Sequence, residues 1–474
     1  MNRIYCPIFK NSKFYPNEVG IIYDNQKWTY KDLNTQVNKI CGYLSNVAEN
    51  IIIVEAQKTV EYICTIFACL RLNKTYLPIS EKTEQSVIDK IIIENKAFYF
   101  DLSNFNLAAN NKDTKKFKHI CLNTPSNIIL SSGSTGQPKM IVHRFWNHLS
   151  SYLGGQKVFT IHKNDKYLLT LPLNHVGGQS IIFKCFFSKA TIVISNNPLS
   201  EAIPIHHITH LSLVPTQIFR LLNQGTHLDS IKAILIGGDS LNVNILRLFN
   251  QKYPHIDLFY SYGSTEMASQ ICTMKINHII NNKDIIPTGY PLPYRDLKID
   301  KNEILVKGRT LALGYLKSNK IFPLIDENGW FHTKDCGYIN NDGLFVNGRL
   351  DNQFICGGEN IQPEAIEKQI KSICNVNNII VSNIKNDEWG NIVACAIELN
   401  NNNDIDRIIS IIQKKMNHIY VPKIWFNWPN NLPKSLKINR KFFNEYINIE
   451  FKSQNYIKIS SCVMKRFKYL LLKQ

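Results

Sequence analysis

Short apolar runs alternate with longer stretches of helical spacing up to about residue 260. Runs rich in β-branched side chains predict strands, and an apolar residue at every third or fourth position predicts a helix. Strands that alternate with helices are typical of parallel α/β layers. The predicted strands are 50–55, 167–172, 191–195, 208–214 and 231–236, with a further strand that ends at Phe259, and the predicted helices include 216–223 and 241–251.

The pattern changes beyond Tyr290, where apolar runs become shorter and lie closer together. Turn residues at 326–329 and 341–343 predict β-hairpins. After Arg349–Asp351 the pattern predicts a smaller unit with helices 363–373 and 404–417 and strands near 378–381 and 392–399.

These patterns predict an α/β protein with two domains of unequal size. The large N-terminal domain consists of layered α/β sheets with a small β-rich subdomain, and the C-terminal domain is small, mobile and α+β. We predict an N-terminal core at 1–348, a hinge at 349–351, a C-terminal domain at 352–450 and a basic tail at 451–474.

The composition is that of a globular protein, with 44% hydrophobic residues and a mean hydropathy of −0.17. We read neither a membrane span nor a secretory signal in it, because no apolar run is long enough and uninterrupted. Even the apolar run 180–187 contains Lys184. The 12 cysteines form no C-x-x-C pair, which favours reduced thiols and a cytoplasmic location.

The formal net charge of +18 is unevenly distributed, because Lys and Arg strongly outnumber Asp and Glu between 430 and 474. A basic surface attracts polyanions, including nucleotides, nucleic acids and anionic membranes. A solvated surface accounts for most of these lysines, and we expect no nucleic-acid partner. Weak contact of the tail with a membrane surface stays open.

The segment Ser131–Lys139 combines hydroxyls, glycines and a lysine directly after a predicted strand. Glycines allow a backbone to approach a ligand closely, and hydroxyl and ammonium groups bind phosphate oxygens. The segment does not contain the Walker pattern. On its own it is either a polyphosphate-binding loop or a flexible surface turn.

Two further sites carry side chains suited to a nucleotide. Tyr262–Glu266 offers an aromatic ring, Gly263, a hydroxyl at Thr265 and a carboxylate suited to Mg²⁺. Asp335 is a good acceptor for ribose hydroxyls, and the guanidinium of Arg349 can donate two parallel hydrogen bonds to oxygens. The alternatives are a structural turn and a surface ion pair.

Taken in order, these segments resemble the adenylate-forming acyl-CoA synthetase superfamily across most of the chain. Trp28–Leu33 is similar to the start of the superfamily pattern, Gly348–Asp351 to its hinge, and 357–363 to the loop that follows. The segments 171–179, 212–217, 234–238, 348–352 and 357–364 are most similar to ligases that join o-succinylbenzoate to coenzyme A in menaquinone synthesis. The resemblance implies an acid–thiol ligase that uses ATP, Mg²⁺ and coenzyme A.

The resemblance also implies a role for each matching residue. Tyr262 would pack on adenine, Thr265 would contact the α-phosphate, Glu266 would hold Mg²⁺, Lys437 would be the catalytic lysine, and Asp351 would be the hinge. The phosphates would contact a set of residues in the first loop, namely Ser131, Ser132, Gly133, Ser134, Thr135, Gly136 and Lys139. Asp335 and Arg349 would bind ribose. The acid or coenzyme channel would contain His175, Gly237, Gly238, Gly357 and Gly358.

Two positions depart from the superfamily pattern. Lys334 stands where a glycine is common, directly before the ribose-binding Asp335. The segment 433–440 is short and lacks a glycine, so Lys434 competes with Lys437 for the catalytic role; we prefer Lys437.

Three alternatives stay open at this point. A different acyl- or aryl-CoA ligase would keep the nucleotide site and change the acid pocket. An adenylation domain would load a carrier protein, although no carrier domain is evident here. A non-catalytic polyanion-binding protein would use only the basic surface. For the second carboxylate of o-succinylbenzoate, Thr216 and Arg220 are the candidate contacts, with a helix-surface arginine as the alternative.

Overall fold

The computed structural model describes residues 3–103, 117–131, 138–238, 241, 243–356, 359–374, 376–386, 390–399, 405–429, 440–459 and 469–471. The α-helices are, in chain order, Pro7–Phe14, Tyr30–Leu44, Val60–Arg71, Gln85–Asn95, Phe145–Gly155, Val176–Ser188, Leu199–His206, Pro215–Asn223, Val243–Lys252, Pro363–Ile373, Ile405–Lys415 and Arg440–Lys452. Leu350–Asn352 forms a 3₁₀ turn.

A nine-stranded sheet forms one half of the N-terminal domain, and its six central strands are parallel. In order across the sheet, its strands are Tyr290–Pro291, Ser269–Lys275, Asp257–Ser264, Ala233–Gly237, His210–Leu213, Lys166–Leu168, Thr191–Ile194, Val19–Tyr23 and Gln26–Thr29. The strands predicted at 191–195, 208–214 and 231–236 are present with small shifts at their ends, whereas the strand predicted at 167–172 ends at Leu168.

A seven-stranded sheet forms the other half. In order, its strands are Lys320–Phe322, Gly314–Lys317, Lys139–Arg144, Pro125–Ser131, Thr75–Ile79, Ile51–Glu55 and Ala97–Tyr99. A small ribbon pairs Arg3–Tyr5 with His119–Cys121. The antiparallel pairing of Pro125–Ser131 with Lys139–Arg144 is the one that matters for the site.

Successive residues of each strand face opposite sides of its sheet, so each sheet can pack helices on both of its faces. Ile52 and Ile192 join Phe67 and Phe183 in one buried cluster. The neighbouring residues Ile53 and Val193 lie in two separate clusters on the far sides of the sheets. The layered α/β architecture is confirmed.

The sequence Trp28–Leu33 marks the start of a helix. Thr29 caps the helix Tyr30–Leu44, since its side chain accepts from the backbone N–H of Asp32 and the carboxylate of Asp32 accepts from the N–H of Thr29. This reciprocal cap satisfies two donors that the first helical turn leaves free. The segment is therefore explained by folding alone.

The β-rich subdomain is a four-stranded antiparallel sheet of Arg295–Asp300, Glu303–Gly308, Phe331–Asn340 and Gly343–Arg349. Its last two strands are joined at 341–342, which confirms the hairpin predicted there. The turn at 326–329 is present, with Gly329 donating to the carbonyl of Asp326, but the predicted hairpin is wrong: the flanking strands Lys320–Phe322 and Phe331–Asn340 belong to different sheets, and Ile325 and Phe331 form an isolated bridge instead.

The C-terminal unit contains a five-stranded sheet and a short hairpin of Phe354–Cys356 with Glu359–Ile361. The sheet strands are Val376–Asn386, Gly390–Leu399, Ile424–Asn427, Ile457–Ile459 and Tyr469–Leu471. The last helix continues to Lys452, and 457–459 pairs with 424–427. The predicted tail boundary at 450 therefore falls inside a helix, and part of the tail belongs to the sheet.

Within the described ranges, no helix is both long and apolar enough to cross a membrane. The cysteines there are all free.

Candidate functional site

The predicted phosphate loop connects the two strands of one hairpin. Ser131 is paired with Lys139 across the hairpin, so the two ends of the predicted loop lie side by side. Ser132, Gly133, Ser134, Thr135 and Gly136 lie outside the described residues, and their contacts with phosphate stay a prediction.

The Tyr262–Glu266 segment begins inside a strand. The sequence placed the end of the strand at Phe259, whereas the strand extends to Ser264, because 260–264 continues to pair with 269–275. Gly263 is required there, since a Cβ would lie 2.0 Å from the carbonyl oxygen of Ser269. The strand therefore carries Tyr262 to the site, and the turn begins after it.

Tyr262, Asp335 and Arg349 form one hydrogen-bonded group, although they lie far apart in the sequence. The hydroxyl of Tyr262 donates to Oδ2 of Asp335 at 2.5 Å, and Nη1 of Arg349 donates to Oδ1 at 2.9 Å. Asp335 and Arg349 are register partners in the subdomain sheet. Each carboxylate oxygen retains a lone pair that can accept a ribose hydroxyl.

Burial raises the pKa of Asp335, while Tyr262 and Arg349 oppose that rise. A group with a raised pKa takes up a proton at a higher pH than an ordinary aspartate. We therefore expect the KM for ATP to rise as the pH falls, beginning above the range in which ordinary carboxylates titrate. Steady-state kinetics across this range, with Asp335→Asn as the comparison, measures the effect; the variant should have a high KM that is independent of pH. A wild-type KM that stays constant into acid would contradict ribose binding by this carboxylate.

Lys334, at the glycine position of the superfamily pattern, adopts the left-handed region with φ of 60°. This conformation explains why glycine is common there. The backbone N–H of Lys334 donates to Oε1 of Glu303 at 2.9 Å, which holds the turn. The departure therefore leaves Asp335 in place.

Thr265 and Glu266 follow the strand and are fixed through their backbone carbonyls. Nε2 of His143 lies 2.8 Å from the carbonyl oxygen of Thr265, and the N–H of Ala312 donates to that of Glu266 at 2.8 Å. Burial lowers the pKa of His143 to about 4, so the ring is neutral and donates one hydrogen bond. His143 belongs to the strand that begins at Lys139, and it therefore links the phosphate loop to the second motif. Sequence reasoning missed it.

His175 is the N-cap of the helix Val176–Ser188 and is exposed. The side chain of His175 is therefore not part of the hydrophobic core, and its place in the acid or coenzyme channel stays a prediction. Gly237 ends the strand Ala233–Gly237, and Gly238 has a φ of 88° that favours glycine.

A buried lysine that the sequence did not single out lies close to the Tyr262–Glu266 motif. Lys184 is 4% exposed, and its Nζ donates to Oε1 of Gln270 at 2.7 Å. Burial lowers its pKa to about 8, and the positive charge of Arg295 also lowers it. Among the described residues no carboxylate forms an ion pair with it. The available signal was a single lysine within an otherwise apolar helix.

Lys184 lines a small pocket together with His148, Ser151, Phe183 and Ala268. Ala268 follows Glu266 by two residues, so this pocket lies next to the Tyr262–Glu266 motif. A buried cation that lacks an anionic partner is costly unless a ligand supplies the charge. The other candidates for such a contact, Thr216 and Arg220, are exposed on their helix.

The boundary between the domains contains the predicted hinge. Nη2 of Arg349 lies 3.3 Å from Oδ2 of Asp351. Hydrogen bonds that cross the boundary include those from Lys368 to the carbonyl of Val346 at 3.0 Å, from Gln362 to the carbonyl of Arg349 at 3.1 Å and from Gln353 to Sγ of Cys336 at 3.3 Å. Gly357, Gly358, Lys434 and Lys437 lie outside the described residues.

Residues 80–316 match the AMP-binding enzyme family. The chain is 30% identical over 431 residues to the 2-succinylbenzoate–CoA ligase of Haemophilus influenzae, covering 88% of this chain and 92% of that protein. The chain belongs to the AMP-binding enzyme family. This AMP-binding enzyme is also 32% identical over 320 residues to the 2-succinylbenzoate–CoA ligase of Escherichia coli K12, covering 67% of this chain and 68% of that protein.

Solved structures agree with this membership. Wild-type E. coli MenE with a bound m-phenylether-linked analogue of OSB-AMS superimposes with a TM-score of 0.78 at 26% identity, covering 94% of this chain and 99% of that chain. The predicted fold class, a large α/β domain followed by a small C-terminal domain, is confirmed.

Proposed function

We propose that this AMP-binding enzyme joins 2-succinylbenzoate to coenzyme A through an acyl-adenylate, in menaquinone biosynthesis. The relatives in H. influenzae and E. coli, which match most of this chain, are both 2-succinylbenzoate–CoA ligases. The observation that carries the choice of acid is the buried Lys184, which lines a pocket behind the nucleotide motif and supplies a positive charge for a second carboxylate.

In the first step a carboxylate oxygen attacks the α-phosphorus of ATP. An O–P bond forms to the acid, the bond to the β-phosphate oxygen breaks, and pyrophosphate leaves. The carboxylate becomes an adenylate ester, which makes the carbonyl carbon a good electrophile. Positioning and charge neutralisation dominate such a reaction.

The nucleotide is held by groups from both sheets and the subdomain. The carboxylate of Asp335 accepts hydrogen bonds from the ribose hydroxyls, and the guanidinium of Arg349 donates to the ribose oxygens. The ring of Tyr262 lies beside the adenine. The loop from Ser131 to Lys139 holds the outgoing phosphates, and Thr265 contacts the α-phosphate. Lys437 supplies a positive charge between the acid and the α-phosphate.

The residues present fit a magnesium ion held largely by the nucleotide. Mg²⁺ commonly takes one or two carboxylates together with substrate phosphates and water. Glu266 is half-buried at the end of the Tyr262–Glu266 motif and offers one carboxylate. The ion neutralises phosphate charge, and Glu266 is the residue that would hold it.

We propose that the second carboxylate of the acid binds the ammonium group of Lys184 by widening the pocket, which as it stands has room for about one water molecule. A carboxylate beside the ammonium group of Lys184 supplies the acceptor that water provides to an exposed lysine. The charge-assisted hydrogen bond between them would orient the aromatic ring of 2-succinylbenzoate. Benzoate and fatty acids have no second carboxylate, so they leave Lys184 without an anionic partner.

In the second step the thiol of coenzyme A attacks the adenylate carbonyl. A C–S bond forms, the C–O bond to AMP breaks, and AMP leaves with the bridging oxygen. We propose that the C-terminal domain turns about Asp351 between the steps, which removes Lys437 and brings Gly357–Glu359 to the thiol. Such a rotation breaks the bonds of Lys368 and Gln362 across the boundary.

A pyrophosphate-release assay with a panel of acids tests the proposed function. Purified full-length protein, ATP, Mg²⁺ and coenzyme A are incubated with 2-succinylbenzoate, benzoate or fatty acids. We expect release with 2-succinylbenzoate and little with the others. Equal release with another acid would support a different acyl- or aryl-CoA ligase, and salt-dependent polyanion binding without any release would support the non-catalytic alternative.

The pKa of Lys184 predicts a dependence on alkaline pH. The ammonium form binds the carboxylate and is lost as the pH rises above about 8. We therefore expect kcat/KM for 2-succinylbenzoate to fall above about pH 8, because this ratio reports the free enzyme. In Lys184→Arg the charge persists, so the ratio should stay level over the same range. The same alkaline fall in both proteins would assign it to another group.

Weak contact of the basic C-terminal segment with a membrane surface is a smaller proposal, which rests on the excess of Lys and Arg after 430. Co-sedimentation with vesicles rich in anionic phospholipid, at low and physiological salt, tests it. An absence of sedimentation at low salt would remove the idea.

A further inference from the structure

Tyr315 lies between the two motifs that handle the phosphates. It belongs to the strand Gly314–Lys317, which pairs antiparallel with Lys139–Arg144, and it is the register partner of Ile141. The strand therefore runs beside the one that carries Lys139 out of the phosphate loop.

The side chain of Tyr315 contacts a charged residue of each motif. Its hydroxyl donates to Oε1 of Glu266 at 3.3 Å. The ammonium of Lys139 lies 5.2 Å from the centre of its ring, within the range of a cation–π contact. One tyrosine thus uses its polar end for the carboxylate and its face for the lysine.

The segment before Tyr315 is fixed to both motifs through its backbone. The N–H of Ala312 donates to the carbonyl of Glu266 and that of Leu313 to the carbonyl of Val142, each at 2.8 Å. These bonds fix the backbone just before Tyr315, so its ring and hydroxyl contact their partners from a defined backbone position.

Packing does not require the hydroxyl of this residue. Tyr315 is half-buried, and a phenylalanine would fill the same space. A donor aimed at the carboxylate restricts the directions in which that carboxylate can turn.

We propose that Tyr315 is a positioning residue, which orients Glu266 toward Mg²⁺ through its hydroxyl and restrains Lys139 beside the phosphates through its ring. The proposal rests on the assignment of Glu266 and Lys139 to the Mg²⁺–ATP site in the proposed function. It does not depend on which acid the enzyme uses.

Calorimetric binding of ATP over a series of Mg²⁺ concentrations tests the proposal without turnover. In Tyr315→Phe the ring remains and the hydroxyl is lost. We expect the Mg²⁺ concentration that gives half-maximal ATP affinity to rise about fivefold, while affinity at saturating Mg²⁺ stays the same. Tyr315→Leu removes the ring as well, so its affinity should remain several-fold weaker even at saturating Mg²⁺.

Tyr338→Phe is the matched control. Tyr338 is an exposed tyrosine of the subdomain whose ring stacks on Phe345 at 4.8 Å. Its variant should titrate like the wild type. Thermal unfolding of all three variants shows whether they fold.

An unchanged Mg²⁺ requirement in folded Tyr315→Phe would overturn the proposal. A weaker affinity that is equal at all Mg²⁺ concentrations would also overturn it, because it would indicate a general structural defect. Wild-type ATP binding that ignores Mg²⁺ would reject it together with the nucleotide site. Mg²⁺-dependent binding with no product from the acid panel would reject only the proposed acid.

Discussion

Lys437→Ala is expected to abolish acyl-adenylate formation and to leave thioester formation from a supplied acyl-adenylate largely intact. In the proposed mechanism the charge of this lysine would stabilise the carboxylate and α-phosphate as negative charge shifts between them, and it would have no role after pyrophosphate has left. Loss of one such stabilising donor commonly lowers kcat by about 10²–10³. ATP–pyrophosphate exchange measures the first step, and mass spectrometry of the thioester measures the second.

Lys434→Ala is the matched control, because it removes a lysine from the same short segment. We expect this variant to retain most of the exchange activity. The reverse result would assign the catalytic role to Lys434. An equal loss of both steps in Lys437→Ala would reject a lysine that acts in adenylation alone.

Lys184→Met is expected to lower kcat/KM for 2-succinylbenzoate about 30-fold or more. Loss of one partner of a buried, hydrogen-bonded charge pair costs about 2–5 kcal/mol, and each 1.36 kcal/mol corresponds to a factor of ten. Methionine keeps the length and apolar character of the side chain, so the helix Val176–Ser188 should remain packed. Affinity for ATP should be unchanged, which calorimetry measures.

Lys189→Met provides the comparison at the end of the same helix. Lys189 is half-buried and lies over the ring of Tyr15 at 4.6 Å, away from the pocket of Lys184. Its variant should keep the wild-type kcat/KM. The proposed contact would be contradicted if Lys184→Met lowered kcat/KM equally for 2-succinylbenzoate and for acids that have one carboxylate.

The sequence was most informative where a local pattern has a local cause. Apolar runs such as 191–195 and helical spacing such as 363–373 predicted elements that the structure contains, because burial follows the period of each element. The strand that contains Tyr262 was predicted too short. Its extension to Ser264 depends on pairing with 269–275, and no local pattern reveals that partner.

The same distinction applies to the site. Tyr262, Asp335 and Arg349 were identified by their resemblance to motifs, but Tyr262 joins the pair of Asp335 and Arg349 only when the subdomain packs against the nine-stranded sheet. His143 and Tyr315 carry no signal of their own, since their roles come from neighbours that are distant in sequence. Lys184 was visible as a charge in an apolar helix, and only burial without a carboxylate distinguishes it from an ordinary surface lysine.

Transfer of oxygen from the acid to AMP tests the two-step ligation most directly. With 2-succinylbenzoate labelled with ¹⁸O in both carboxylates, attack on the α-phosphorus leaves one carboxylate oxygen in AMP when the thiol displaces it. We predict AMP that carries one ¹⁸O and pyrophosphate that carries none, both measured by mass spectrometry. Label in pyrophosphate or inorganic phosphate, or AMP without label beside a formed thioester, would contradict the account.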